Sequence, residues 1–180
     1  MIQSRIAGFV TALTLVTMLG APALTAADEA FKARLRGFQE VPAVSTEASG
    51  EFSAKINDDA TSIEYTLSYE NLTGTVSQGH IHLGQFHVNG GISVWLCQTA
   101  DPFLDPAGQA PTCPQSGTVT GTITADNVIG PAGQGIAAGE FAELVDAIRA
   151  GVTYANVHTL PQFGGGEIRG QIRRAVDDKD

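Results

Sequence analysis

Three of the four histidines in this 180-residue chain lie within one short segment, GHIHLGQFHVNG. They are His80, His82 and His87, and the fourth, His158, lies in a separate motif, YANVHT. Successive side chains of a β-strand point to opposite faces, so His80 and His82 share one face if this segment is a strand. Two imidazoles on one strand face, joined by a third from another strand, can bind a transition-metal ion. The alternative is that these histidines lie on the surface or form hydrogen bonds in the core.

The N-terminal segment 1–27 has the features of a secretory signal peptide. Arg5 supplies a positive charge, a run dominated by apolar residues follows from Ile6 to Leu19, and small residues between 21 and 27 offer cleavage sites. The apolar run is shorter than a transmembrane helix normally requires. We therefore expect an exported protein, secreted or periplasmic, that has no membrane anchor after cleavage.

Cys97 and Cys113 are the two cysteines of the chain, and the segment between them is rich in proline and glycine. In an oxidising compartment such a pair is expected to form a disulfide. Thiolate metal ligands or a redox pair would need close CxxC-like spacing or a reducing environment, and the sequence indicates neither. We predict a disulfide between these residues.

The formal net charge of −9 argues against nucleic acids and anionic membrane surfaces as partners, because both require basic patches. A cation is more compatible with this charge, and the sequence does not indicate a protein partner. The length that remains after the leader fits one domain with its own core, over 28–176, followed by an acidic tail at 177–180.

Alternating apolar and polar residues predict most of the elements that would position the histidines. Strands are expected at 31–37, 52–56, 63–69, 76–83, 92–97, 117–124, 153–159 and 167–173. One amphipathic helix is expected at about Glu140 to Ala150, since Phe141, Leu144, Val145 and Ile148 have the spacing of one helix face. About eight short strands with one short helix predict an all-β fold, an antiparallel Greek-key sandwich or barrel.

Three longer segments resemble the CHRD domain family, which was first described in chordin. They are ARLRGFQEVPAVSTEASGEF, GHIHLGQFHVNGGISVWL and AIRAGVTYANVHTLPQFGGGEIRGQI, and they occur in the family's order. The resemblance covers nearly the whole expected domain. It implies an extracellular all-β domain with Greek-key topology and no established enzymatic reaction. Chordin's growth-factor partners belong to a multidomain animal protein, and this chain offers no reason to inherit them.

The HxH strand is also similar, more distantly, to the copper strand of copper-zinc superoxide dismutase. This similarity implies His80, His82 and His158 as ligands of one ion, with His87 as an optional fourth ligand. No further cluster supplies a zinc half, so superoxide dismutase activity is not expected. Imidazole suits copper or zinc. A blue-copper centre is not expected, because the cysteines are predicted to be paired and both methionines, Met1 and Met18, lie in the expected leader.

Glu167 and Arg169 would share one face of the last strand and offer two interpretations. They either orient a ligand histidine or form a cross-strand ion pair that fixes the sheet. The chain contains no GxSxG, HExxH or phosphate-loop motif, so no catalytic residue is assigned. Two function classes remain: an exported module that binds copper or zinc, and an extracellular interaction or matrix module whose histidines are structural.

Overall fold

A computed structural model describes residues 29–99 and 105–175. The expected signal peptide at 1–27 and the acidic tail at 177–180 lie outside the described residues. Within those residues the chain forms nine strands and one α-helix, α1, at Phe141–Arg149. The strands are β1 Glu29–Arg36, β2 Ser49–Ile56, β3 Ile63–Glu70, β4 Thr75–Leu83, β5 Gly91–Gln98, β6 Gly117–Ile123, β7 Thr153–Leu160, β8 Phe163–Gln171 and β9 Arg173–Arg174.

The alternating pattern of the sequence becomes the two faces of the sheet. On β1, Phe31, Ala33 and Leu35 are buried, whereas Lys32 and Arg34 between them are exposed. Strands β2 and β3 repeat this pattern and add further aromatic and aliphatic side chains to the same core. The inward residues fill one continuous core because the eight long strands turn their apolar faces toward the inside of the barrel.

All strand pairs are antiparallel, and the order across the sheet is β5-β4-β7-β8-β1-β2-β3-β6, with the short β9 beside β1. Strands β3 and β4 are consecutive in the chain but lie near opposite ends of the strand order. The chain then returns after β5 and places β6 beside β3. The sheet curls until its two end strands, β5 and β6, approach each other. The expected antiparallel Greek-key barrel is therefore confirmed, as a barrel that is nearly closed.

The predicted disulfide is confirmed and lies at the gap between the two end strands. Cys97 on β5 and Cys113, just before β6, have Cα atoms 4.9 Å apart and are both buried. Across the same gap, the Tyr65 hydroxyl of β3 donates to the Leu96 carbonyl of β5 at 2.7 Å. These contacts satisfy part of an edge that would otherwise expose unpaired backbone groups.

Helix α1 matches its prediction closely. Phe141, Leu144, Val145 and Ile148 are buried against the barrel, and Gly151 adopts the left-handed conformation that stops the helix. No helix in the described ranges is long and apolar enough to cross a membrane.

Candidate metal centre

The pairing of β4 with β7 brings three histidines together on the outward face of the sheet. His80 lies opposite Asn156 and His82 opposite Tyr154, while Gln78 lies opposite His158. His158 is therefore a diagonal neighbour of His80 across the two strands, within reach of a long side chain. The ring centroids of these two histidines are 4.9 Å apart, and those of His80 and His82 are 5.3 Å apart.

The three imidazoles form a compact set of candidate ligands. Each offers one ring nitrogen, and the three nitrogens lie within 4.8 Å of one another. All three are buried: His80 is 0% exposed, His82 is 7% exposed and His158 is 6% exposed. No other group of this kind occurs in 29–99 or 105–175. The geometry can therefore accept one metal ion.

Backbone carbonyls fix the tautomers of two of the rings. His82 Nδ1 lies 3.0 Å from the Gly90 carbonyl oxygen, and His158 Nδ1 lies 3.0 Å from that of Gly164. A carbonyl can only accept, so each Nδ1 carries the proton and each Nε2 presents a lone pair. This is the arrangement of metal-binding histidines, whose second nitrogen donates to an acceptor that fixes the ring.

Of the four remaining ring nitrogens, two bond to each other and two have no partner among the described residues. His80 Nδ1 lies 3.2 Å from His158 Nε2, which is a lone-pair acceptor, so His80 donates and its own Nε2 is unprotonated. His80 Nε2 and His82 Nε2 are both buried and have no hydrogen-bond partner in the described part of the chain. Unsatisfied buried polar atoms are costly, and a bound cation would satisfy both.

Burial keeps all three rings neutral at pH 7. It lowers the pKa of His82 to about 4 and lowers the pKa of His158, and it holds the pKa of His80 well below 6.5. The neighbouring histidines lower the pKa of His80 further, because a second positive charge in the cluster is unfavourable. Metal binding requires the neutral form, so the three rings are already in the protonation state that ligands need.

Two aromatic rings wall the cluster. The Trp95 ring meets His80 edge-on, with centroids 4.3 Å apart and an angle of 82°. The Tyr154 ring lies parallel to His82, with centroids 4.7 Å apart and an angle of 2°. The Tyr154 hydroxyl also accepts the Gly90 N–H at 3.2 Å, so Gly90 contacts both rings of this stacked pair. Sequence reasoning gave neither aromatic residue a role, although Tyr154 lies two and four residues from Asn156 and His158, on the face predicted for them.

Arg169 is 2% exposed and contacts the site through the ring of Tyr154. Its guanidinium lies over the Tyr154 ring, 3.4 Å from the centroid, on a ring that also stacks on His82. The same guanidinium donates to Asn89 Oδ1 at 3.0 Å and to the Val88 carbonyl at 2.6 Å. Arg169 thus links the loop between β4 and β5 to the aromatic stack, and it makes no direct hydrogen bond to a histidine.

Glu167 occupies a separate set of contacts beside the histidines. Its carboxylate accepts the hydroxyls of Thr46 and Thr159 at 2.7 and 2.6 Å and the Thr73 N–H at 2.8 Å. No hydrogen bond joins it to Arg169 or to a histidine in the described chain. Its contact with Thr159, the residue after His158, fixes the backbone of β7 next to a candidate ligand.

His87 lies outside the cluster. It is exposed on the loop between β4 and β5, its φ of 62° is in the left-handed region, and its ring stacks on Phe86 with centroids 3.9 Å apart. Its proposed role as a fourth ligand gains no support from this position.

Glu40 is a further buried acid near the site that the sequence did not single out as functional. It is 6% exposed and accepts the side-chain amide of Asn156 at 2.6 Å. Burial raises its pKa to about 7, although the Asn156 hydrogen bond and the Arg169 charge oppose the rise. A glutamate in a Val-Pro turn gives no sequence signal for such burial, because its contact with Asn156 on β7 forms only in the folded barrel.

Comparison with protein-family models identifies the family of this chain. The family model of the CHRD domain matches residues 31–172, which is most of the chain. The chain belongs to the CHRD domain family. No curated protein and no solved structure matches it. All three clustered histidines fall within the matched CHRD region, as do both cysteines.

Proposed function

We propose that this protein is an exported CHRD-domain protein that binds one transition-metal ion, copper or zinc, and serves in metal handling. The observation that carries the proposal is the convergence of His80, His82 and His158, with two buried ring nitrogens that have no other partner. Imidazole nitrogens suit both metals. When bound, the ion would supply Lewis acidity or redox chemistry, while the protein's own residues hold and shield it.

Several features of the chain support export. The segment 1–27 has the composition of a secretory leader, and the disulfide is typical of oxidising compartments. The family assignment agrees with an extracellular or periplasmic location. No catalytic residue is assigned, and the proposed role is binding.

Calorimetric titration of metal-stripped protein with copper(II) and zinc(II) at pH 7 tests the proposal. We expect saturable binding of one ion per chain. His80→Ala and His82→Ala should each weaken binding at least tenfold, because each removes one of three ligands. His87→Ala is the matched control: it also deletes a histidine of the same segment, and it should change the affinity little because His87 lies outside the cluster.

Two results would contradict the proposal. One is the absence of one-to-one binding at neutral pH, and the other is equal binding by the wild type and the His80→Ala/His82→Ala double variant. Either result would favour the second function class, an extracellular interaction or matrix module with structural histidines. Circular dichroism of each variant separates a lost ligand from a lost fold.

A further inference from the structure

The candidate centre has no anionic ligand among the described residues. Its three imidazoles are neutral, and the two buried carboxylates nearby are engaged elsewhere. Glu167 accepts hydrogen bonds from three threonines, and Glu40 accepts one from Asn156. A bound cation would therefore keep its full charge in a buried site.

The fixed charge that does reach the cluster is positive. The Arg169 guanidinium is separated from His82 by the single ring of Tyr154, with centroid distances of 3.4 Å on one side and 4.7 Å on the other. No aspartate or glutamate forms a direct ion pair with Arg169 in the part of the chain that the structure describes, and the buried Glu40 carboxylate interacts with Arg169 only at longer range. A positive field opposes a divalent ion more strongly than a monovalent one.

The number of donors agrees with this electrostatic argument. Zinc(II) in proteins is almost always four-coordinate, and a site with three protein ligands completes its shell with water or substrate. Here three nitrogens converge, the free Nε2 atoms of His80 and His82 are buried, and Trp95 and Tyr154 contact the two rings. Copper(I) is stable with three ligands and needs no added anion to balance a second charge.

We propose, on the footing of the metal-binding function above, that this centre binds copper(I) in preference to copper(II) and zinc(II). The preference follows from three neutral ligands in a buried pocket, with the Arg169 guanidinium one aromatic ring away from His82. The free energy cost of burying an ion rises steeply with its charge, so the site disfavours the divalent ions relative to copper(I). At a separation of about 10 Å and an effective dielectric constant of about 20, Arg169 alone would weaken a divalent ion relative to a monovalent one by roughly tenfold.

The first test compares three ions on the wild-type protein. Dissociation constants for copper(I), under anaerobic conditions, and for copper(II) and zinc(II) are measured at pH 7 by competition with chromophoric chelators. Trp95, the single tryptophan of the chain, contacts His80 and gives an independent fluorescence signal for occupancy. We expect the copper(I) dissociation constant to be at least tenfold below that of either divalent ion.

The second test removes the positive charge. Arg169→Gln should shift the ratio of zinc(II) to copper(I) affinity toward zinc by roughly tenfold, and using a ratio cancels any general weakening of the site. Arg36→Gln is the matched control, because Arg36 lies opposite Arg169 in the backbone register of β1 and β8. Its side chain is exposed, so water screens its charge. The control ratio should stay at the wild-type value.

The outcomes separate this inference from the function on which it rests. One-to-one binding with zinc(II) or copper(II) tighter than copper(I) would overturn the inference and leave the metal-binding proposal standing. An unchanged affinity ratio in folded Arg169→Gln would overturn the role of the guanidinium charge. Failure of all three ions to bind would overturn both proposals. The wild-type comparison decides the preference even if Arg169→Gln does not fold.

Discussion

Burial shifts the pKa values of His82 and Glu40 in opposite directions. Burial lowers the pKa of His82 to about 4 and raises the pKa of Glu40 to about 7, because it disfavours the charged form of each. As the pH falls below 6.5, the unfolded chain gains protons on histidine that the folded chain resists, and stability is lost. As it falls from 7 toward 4.5, folded Glu40 gains a proton before the unfolded chain does, and stability is gained. The two effects offset each other in the wild type.

A variant separates the two contributions. Glu40→Gln keeps an oxygen that can accept the Asn156 amide but removes the buried charge. Wild-type stability should therefore decline relative to the variant as the pH rises from 4.5 through the folded pKa of about 7, by up to about 3 kcal/mol in all, and the difference should level off about one pH unit above that pKa.

Urea unfolding of both proteins at several pH values measures this difference. Glu47→Gln, in an exposed position of the same loop, is the matched control. A Glu40→Gln advantage that did not change between pH 5 and pH 8 would contradict a raised pKa for Glu40.

At the scale of elements, the loop between β4 and β5 connects the ligand His82 to Tyr154 and Arg169. Its last residue, Gly90, uses its carbonyl to accept from His82 and its N–H to donate to Tyr154, while Arg169 bonds the Val88 carbonyl. The close approach requires glycine, because a Cβ added to Gly90 would collide with the Leu83 carbonyl. One loop conformation thus sets the orientation of a ligand ring.

Gly90→Ala should therefore weaken metal binding by about 10- to 100-fold, since it displaces the acceptor that orients His82. Calorimetric titration at pH 7 measures the change, and the Trp95 fluorescence of the metal-free variant reports whether the fold persists. Gly165→Ala, on β8 close to the Gly164 acceptor of His158, is the control because an added Cβ there meets nothing within 4 Å. Equal affinities of Gly90→Ala and wild type would show that the loop does not orient the ligand.

At the scale of the molecule, the barrel depends on joining its two end strands. Cys97 and Cys113 are 16 residues apart in sequence and link β5 to the segment that enters β6. Strand β5 also carries Trp95, so the same closure supports one wall of the candidate centre.

Replacing both cysteines by serine should lower the free energy of unfolding by about 3 kcal/mol, because a loop of this length is no longer constrained in the unfolded chain. Denaturant unfolding of the Cys97→Ser/Cys113→Ser variant beside the oxidised wild type measures the loss. Adding a reductant to the wild type should reproduce it, whereas the variant should not respond to reductant. No loss of stability would mean that Tyr65 and the strand contacts close the barrel without the disulfide.

The sequence by itself determined what depends on local period and residue type. Alternation placed the strands and gave His80 and His82 the same face, helical spacing located Phe141–Arg149, and two cysteines allowed only one pairing. These features are local because the side-chain direction of a strand or helix repeats over a few residues.

The tertiary structure alone decided what depends on register and burial. His158 reaches His80 because β4 and β7 pair with a shift between Val76 and Gln78, and His87 turns outward on a loop of the same segment. Arg169 contacts Tyr154 and the loop between β4 and β5, and Glu167 contacts three threonines, so neither forms a hydrogen bond to a ligand histidine. Local sequence does not encode these outcomes, because strand order, bulges and the desolvation that keeps the imidazoles neutral arise only when distant segments pack into one barrel.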